Sequence, residues 1–128
     1  MKRADLAGSR ILILEDDFYL ASDVQAWLQN AGAEVLGPTG SVAKALDFVH
    51  SNRIDGALVD INLGNGPSFE VSRALEKRGV PFTFVTGYDE EVIPADLNSA
   101  PRVQKPVLEH SLVAAVASLL KAGGNDPV

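Results

Sequence analysis

The sequence contains no cysteine, which excludes disulfide bonds and thiolate-bound metal sites. No apolar run approaches the roughly 18–20 residues that a membrane-spanning helix needs, and no signal-peptide pattern opens the chain. Basic residues are fewer than acidic ones, 11 against 17, and the net charge of −6 argues against a nucleic-acid surface, which needs clustered Lys and Arg. These absences predict a soluble cytoplasmic protein that binds neither membrane nor nucleic acid.

Short apolar runs alternate with segments of helical periodicity along the 128 residues. Ile11 to Leu14 and Ala57 to Val59 are continuous apolar runs, typical of strands buried on both faces. Further strands are predicted at 33–36, 82–85 and 103–104, and helices at 17–31, 41–49, 68–78 and 108–122. This alternation predicts an α/β fold, a flavodoxin-like (βα)5 doubly wound parallel sheet with strand order 2-1-3-4-5. We expect one domain over 1–128, with its core at about 10–122 and no output domain.

Polar side chains stand where four of the predicted strands end. They are Glu15 and Asp16 after the first strand, Asp60 after the third, Thr86 after the fourth and Lys105 after the fifth. Open parallel sheets bind ligands beyond the carboxyl ends of their strands, so these side chains should converge on one crevice. Clustered carboxylates repel one another unless a cation neutralises them, and Mg²⁺ suits a site of few carboxylates. With a hydroxyl from Thr86 and a positive charge from Lys105, the set suits a phosphoryl group carried on Asp60.

The register of the acidic pair has two alternatives. Asp17 follows Glu15 and Asp16 directly and is also the predicted N-cap of the first helix. The working pair is therefore either Glu15-Asp16 or Asp16-Asp17. We favour the first, because the apolar run that begins at Ile11 ends immediately before Glu15.

In this order and at these strand ends, the residues resemble the receiver domain of two-component response regulators over nearly the whole chain. The resemblance implies that Asp60 accepts a phosphoryl group from a histidine of a sensor histidine kinase or a histidine phosphotransferase. It also implies Mg²⁺ as the cofactor, bound directly by Asp16 and Asp60. Glu15 would bind it through water, and Asn62 through its main-chain carbonyl.

The same resemblance assigns roles at the fourth and fifth strands. Thr86 and Lys105 would hold the phosphoryl oxygens, and the bond between Lys105 and Pro106 would be cis. Such a protein switches protein–protein interactions, and it is a catalyst only of its own phosphorylation and dephosphorylation.

A closer similarity lies in residues 81–88, Pro-Phe-Thr-Phe-Val-Thr-Gly-Tyr. They resemble the motif of the single-domain FATGUY receivers, a subgroup linked to stress signalling, with Val85 where that motif has alanine. Two features depart from the wider family. Arg102 stands three residues before Lys105, where most receivers carry Tyr or Phe, and the short interval from Thr86 to Lys105 leaves little room for a fourth helix.

These departures change the expected response to phosphorylation. Burying a guanidinium without a partner costs on the order of several kcal/mol. We therefore expect Arg102 to stay solvated or to pair with an acid, for which Asp89, Glu90 and Glu91 are the candidates. The response is expected in the loop of Thr86, Gly87 and Tyr88 instead.

Three other functions share parts of this pattern. A haloacid-dehalogenase-like phosphatase also forms a phospho-aspartate, but it needs a second Asp two residues after the nucleophile, and Asn62 at that position cannot be an acid. A phosphorylation-independent adaptor with this fold would only bind proteins, and the presence of the whole set of site residues counts against it. The third alternative is a receiver that forms part of a hybrid histidine kinase.

Overall fold

The computed structural model describes residues 6–64, 66–87 and 90–123, which form a five-stranded parallel sheet between two layers of helices. The strands are β1 (Arg10–Leu14), β2 (Glu34–Thr39), β3 (Gly56–Asp60), β4 (Phe82–Thr86) and β5 (Arg102–Gln104). The helices are α1 (Phe18–Asn30), α2 (Val42–Ser51), α3 (Glu70–Lys77) and α4 (Glu109–Gly123). The strand order is β2-β1-β3-β4-β5, which confirms the predicted flavodoxin-like fold.

The core has two layers because neighbouring residues of a strand point to opposite faces of the sheet. In β1, Leu12 and Leu14 pack with α2 and α3, whereas Ile11 and Ile13 pack with α1 and α4. Both faces of β3 and β4 are buried along their whole length. The continuous apolar run from Ala57 to Val59 in β3 follows from this double coverage. Within the described ranges, no helix has the length and apolar character needed to cross a membrane.

Strand β2 extends beyond its predicted end. The sequence predicted a stop at Gly37-Pro38, but the strand continues to Thr39. Gly37 has a φ of +90°, the Gly37–Pro38 bond is cis, and the pairing with β1 shifts between Leu12 and Leu14. Because β2 is an edge strand, proline's missing N–H removes no necessary bond of the sheet.

Helices α1 and α2 begin after the side chains that the sequence predicts as their caps, Asp17 and Ser41. Asp17 accepts hydrogen bonds from the N–H groups of Tyr19 and Leu20 at 3.0 and 3.2 Å, and Ser41 accepts one from Lys44 at 3.1 Å. Helix α3 instead begins at Glu70, two residues after the predicted start, and no side chain caps it.

Two 3-10 turns, Glu90–Val92 and Ala95–Leu97, occupy the chain between β4 and β5, where the (βα)5 pattern would place a helix. Ile93 and Leu97 are buried against the α2–α3 side of the core. The expectation of little room for a fourth helix is confirmed. Pro94 separates the two turns, in agreement with its inability to continue a helix.

Candidate functional site

The carboxyl ends of β1, β3, β4 and β5 bring the predicted site residues to one edge of the sheet. Leu14 pairs with Val59 and Asp60 pairs with Val85, so the residues that follow these strands stand side by side. The N–H of Lys105 donates to the carbonyl of Thr86 at 2.7 Å, which joins the last two strand ends.

Three carboxylates form a cluster at this edge. Glu15, Asp16 and Asp60 each offer an oxygen, and these oxygens lie within 4.8 Å of one another. Glu15 and Asp60 are 5% and 2% exposed, whereas Asp16 is exposed to solvent. The cluster therefore has two buried acids and one open to incoming ions.

The two oxygens of Asp60 have different environments. Oδ1 accepts a hydrogen bond from the N–H of Asn62 at 3.2 Å. Oδ2 is buried without a hydrogen-bond partner among the described residues, and it lies 3.6 Å from Lys105 Nζ. Burial raises the pKa of the Asp60 carboxyl, and the positive charge of Lys105 opposes that rise.

Glu15 is held beside Asp60 by the start of the loop before α1. Its carboxylate accepts a hydrogen bond from the N–H of Asp17 at 3.0 Å. Burial raises the pKa of Glu15 to about 7, and the negative charge of Asp60 adds to the rise, while the Asp17 N–H opposes it.

The position of Asp17 bears on the two alternatives for the acidic pair. Its carboxylate caps α1, and the cluster contains Glu15 and Asp16 instead. The acids that lie together with Asp60 are therefore Glu15 and Asp16, the pair that we favour.

The remaining predicted residues border the cluster. Thr86, fully buried, ends β4, and the Lys105–Pro106 bond is cis. The side chain of Asn62 accepts a hydrogen bond from the N–H of Gly64 at 3.1 Å, which shapes the loop after β3. Gly40 and Gly64, which both lie close to Asp16, are not among the predicted site residues. Only their occurrence in loops that follow β2 and β3, the two strands that flank β1, could have indicated them.

Arg102, the first residue of β5, makes hydrogen bonds to the segment that precedes it. It is partly buried, and its guanidinium donates to the carbonyl of Asn98 at 2.7 Å and to that of Ala100 at 3.3 Å. These hydrogen bonds to carbonyl oxygens were not predicted, and the pairing with Asp89, Glu90 or Glu91 stays a prediction. Tyr88 and Asp89, which that prediction used, and the side chain of Glu90 lie outside the described residues.

The cluster suits a hard divalent cation. All its donors are oxygens, its net charge is negative, and one buried oxygen of Asp60 has no hydrogen bond within the described part of the chain. Mg²⁺ prefers such oxygen ligands and uses few carboxylates. The residues present therefore fit the predicted ion.

Comparisons with known proteins find chains of similar sequence and similar overall structure. No protein-family model matches the chain. The structure of SdrG from Sphingomonas melonis Fr1 is similar, with 32% identity and a TM-score of 0.77 over 94% of this chain and 100% of that one. The BeF3-activated conformation of SdrG from Pseudomonas melonis Fr1 gives 34% and 0.76 over 90% and 98%.

Two further relatives carry names that describe their class. A response regulator receiver domain protein (CheY-like) from Methanospirillum hungatei JF-1 is 25% identical, with a TM-score of 0.75 over 90% of this chain and 95% of that one. The sensory transduction protein RegX3 of Mycobacterium tuberculosis is 30% identical over 120 residues, which are 91% of this chain and 52% of RegX3. The chain spans about half the length of the curated relatives it matches.

Proposed function

Because the chain belongs to the response regulator receiver domains, we propose that it is a phosphoryl-accepting switch of a two-component system or phosphorelay. Receivers are signalling proteins that partner with histidine kinases, and they are not classical enzymes. One observation carries the proposal. Asp60 Oδ2 is buried without a hydrogen bond among the described residues and lies 3.6 Å from the Lys105 ammonium.

In the proposed reaction, Asp60 is the nucleophile. Its Oδ1 is held by the N–H of Asn62, which leaves Oδ2 to attack the phosphorus of a phospho-histidine. The new bond joins Oδ2 to phosphorus, the phosphorus–nitrogen bond breaks, and its electron pair stays on the imidazole nitrogen. Hydrolysis reverses the modification when water attacks the phosphorus and the carboxylate leaves.

The ionised form of Asp60 is the reactive one, and burial disfavours it. Asp16 and Asp60 would bind Mg²⁺ directly, Glu15 through water, and Asn62 through its main-chain carbonyl. The bound ion would supply positive charge that favours the ionised carboxylates and balances the phosphoryl oxygens. The three clustered oxygens within 4.8 Å support this assignment.

Lys105 and Thr86 are proposed to act on the phosphoryl group. The ammonium of Lys105 is near enough to Asp60 to pair with an oxygen of the new phosphoryl group, because only 3.6 Å separates Nζ from Oδ2. Thr86 ends the neighbouring strand and can donate its hydroxyl. The partner would be a sensor histidine kinase or a histidine phosphotransferase.

We further propose that the chain belongs to the FATGUY subgroup. The motif-like residues 81–88 support this, as does the replacement of a fourth helix by two 3-10 turns. The subgroup assignment concerns how the signal is passed on, and the phosphorylation chemistry does not depend on it.

The test is chemical labelling of the acceptor. Incubation with acetyl phosphate and Mg²⁺, followed by borohydride trapping and mass spectrometry, should place the modification on Asp60. Asp60→Asn should lose the label and remain folded, whereas Asp23→Asn, an exposed substitution on α1, should keep it. Label that persists in Asp60→Asn would refute the site, and rapid turnover of small phosphate esters would indicate a phosphatase instead.

A further inference from the structure

A glycine lies very close to the Cα and Cβ atoms of Asp16, the exposed acid of the cluster. Gly40, between β2 and α2, approaches so closely that a Cβ atom added there would lie 2.6 Å from Asp16 Cβ and 2.9 Å from Asp16 Cα. Real Cβ atoms do not approach other atoms this closely. Any side chain at position 40 would therefore displace the Gly40 loop, Asp16, or both.

A second glycine approaches the carboxylate of Asp16 from another loop. Gly64 follows β3, and a Cβ atom added there would lie 3.1 Å from Asp16 Oδ2. Gly64 has a φ of +90°, a conformation that other residues adopt only with strain. Its N–H also donates to the Asn62 side chain, so its position is fixed relative to the cluster.

We propose that Gly40 and Gly64 are positioning residues for Asp16, and that the space left by their missing side chains sets the affinity of the site for Mg²⁺. This inference rests on the proposed function, in which Asp16 is a metal ligand. Gly40 limits where the main chain of Asp16 can lie, and Gly64 limits where its carboxylate can lie. Residues that orient a ligand typically change metal affinity strongly when they are altered.

Gly40 offers a clean test because its φ lies outside the left-handed region. Alanine there adds no backbone strain of that kind, so its effect arises from contact with Asp16. Ser41→Ala is the matched control. It removes the hydrogen bond from the N–H of Lys44 and weakens the start of α2 at the neighbouring position, and it adds no atom that could displace Asp16.

Mg²⁺ binding to the full chain is measured by isothermal titration calorimetry, and melting temperatures are measured in EDTA. Gly40→Ala should raise the Kd for Mg²⁺ by roughly tenfold or more. Ser41→Ala should lower the melting temperature and leave that Kd unchanged. Weakened binding in both variants to the same degree would indicate a general structural effect and would overturn the inference.

Gly64 and Gly66 provide a second matched pair on one loop. Their φ values are +90° and +102°, and an added Cβ atom at Gly66 would meet nothing within 4 Å. Alanine should strain both positions similarly, but only Gly64→Ala should weaken Mg²⁺ binding. If Gly40→Ala fails to fold, this pair decides alone.

The outcomes separate the two proposals. A wild-type chain that binds no Mg²⁺ refutes the metal site and the positioning role together. If wild type binds Mg²⁺ while the folded Gly40→Ala and Gly64→Ala variants bind it as tightly as their controls, only the positioning role is refuted.

Discussion

Glu15 and Asp60 are acids placed where their charged forms are poorly stabilised. Burial raises the pKa of both, and the lysine opposite offsets only part of the effect. In the unfolded chain both acids are solvated and ionise at ordinary values. The folded protein therefore binds more protons than the unfolded one at mildly acidic pH, which links stability to pH.

This linkage predicts a fall in stability as pH rises in the metal-free protein. For Glu15, whose pKa rises from 4.5 to about 7, the stabilisation is full below pH 4.5 and is lost through pH 7. The free energy of unfolding in EDTA should drop over this window, by on the order of 3 kcal/mol for this group. Glu15→Gln should reduce the slope, and urea titrations at several pH values measure it.

Glu76→Gln is the control, because Glu76 is an exposed residue of α3. It should keep the wild-type slope. If Glu15→Gln keeps that slope too, the Glu15 carboxyl does not titrate as its burial requires.

Single residues also show how far a sequence can predict a site. Glu15, Asp16 and Asp60 could be predicted because they stand at the ends of apolar runs, and strand ends share one edge of a parallel sheet. The close approach of Gly40 to Asp16 could not, because it depends on how the loop after β2 bends toward another strand. The residue types near Gly40 do not determine its distance from Asp16.

At the scale of elements, the segment between β4 and β5 differs most from the simple alternation. It has two 3-10 turns where a helix would stand. The second turn contacts both the hydrophobic core and the surface of α3. Leu97 is 1% exposed in the core, whereas Asp96 pairs with Arg73 of α3 on the surface. The hydrogen bond from Arg73 lowers the pKa of the Asp96 carboxyl.

We predict that the buried contact stabilises this segment and the surface pair does not. Leu97→Ala should lower the free energy of unfolding by about 2–4 kcal/mol, because it removes a packed side chain and leaves a cavity. Asp96→Asn should leave the urea midpoint nearly unchanged, since solvent and salt screen exposed ion pairs. A larger loss in Asp96→Asn than in Leu97→Ala would contradict this order.

Element boundaries were predicted less well than the elements themselves. Gly37-Pro38 predicts an end to the second strand, but an edge strand tolerates proline and the strand runs to Thr39. The sequence pattern predicts a helix from Ser68, but α3 begins at Glu70. In both cases tertiary packing outweighed a local signal, while the caps at Asp17 and Ser41, which need only local hydrogen bonds, were confirmed.

At the scale of the whole molecule, two large aromatic side chains are exposed beside the site. Phe18 and Tyr19 begin α1 directly after the acidic residues, with 74% and 79% of their surface exposed. Their rings meet edge to face with centroids 5.5 Å apart.

Aromatic side chains are enriched among the residues that dominate protein–protein binding energy. Under the proposed function, a protein donor brings its phospho-histidine to Asp60 and would contact these neighbouring side chains, whereas a small phosphodonor needs no such contact.

This difference predicts a split between two donors. Phe18→Ala combined with Tyr19→Ala should slow phosphotransfer from a cognate protein donor by roughly tenfold or more, because the docking surface is lost. Labelling by acetyl phosphate should stay at the wild-type rate, since neither side chain belongs to the acidic cluster. Gln29→Ala, exposed near the other end of α1, is the control and should leave both rates unchanged. Equal slowing with both donors would mean that the pair acts on the site itself, and no slowing with either would place donor docking elsewhere.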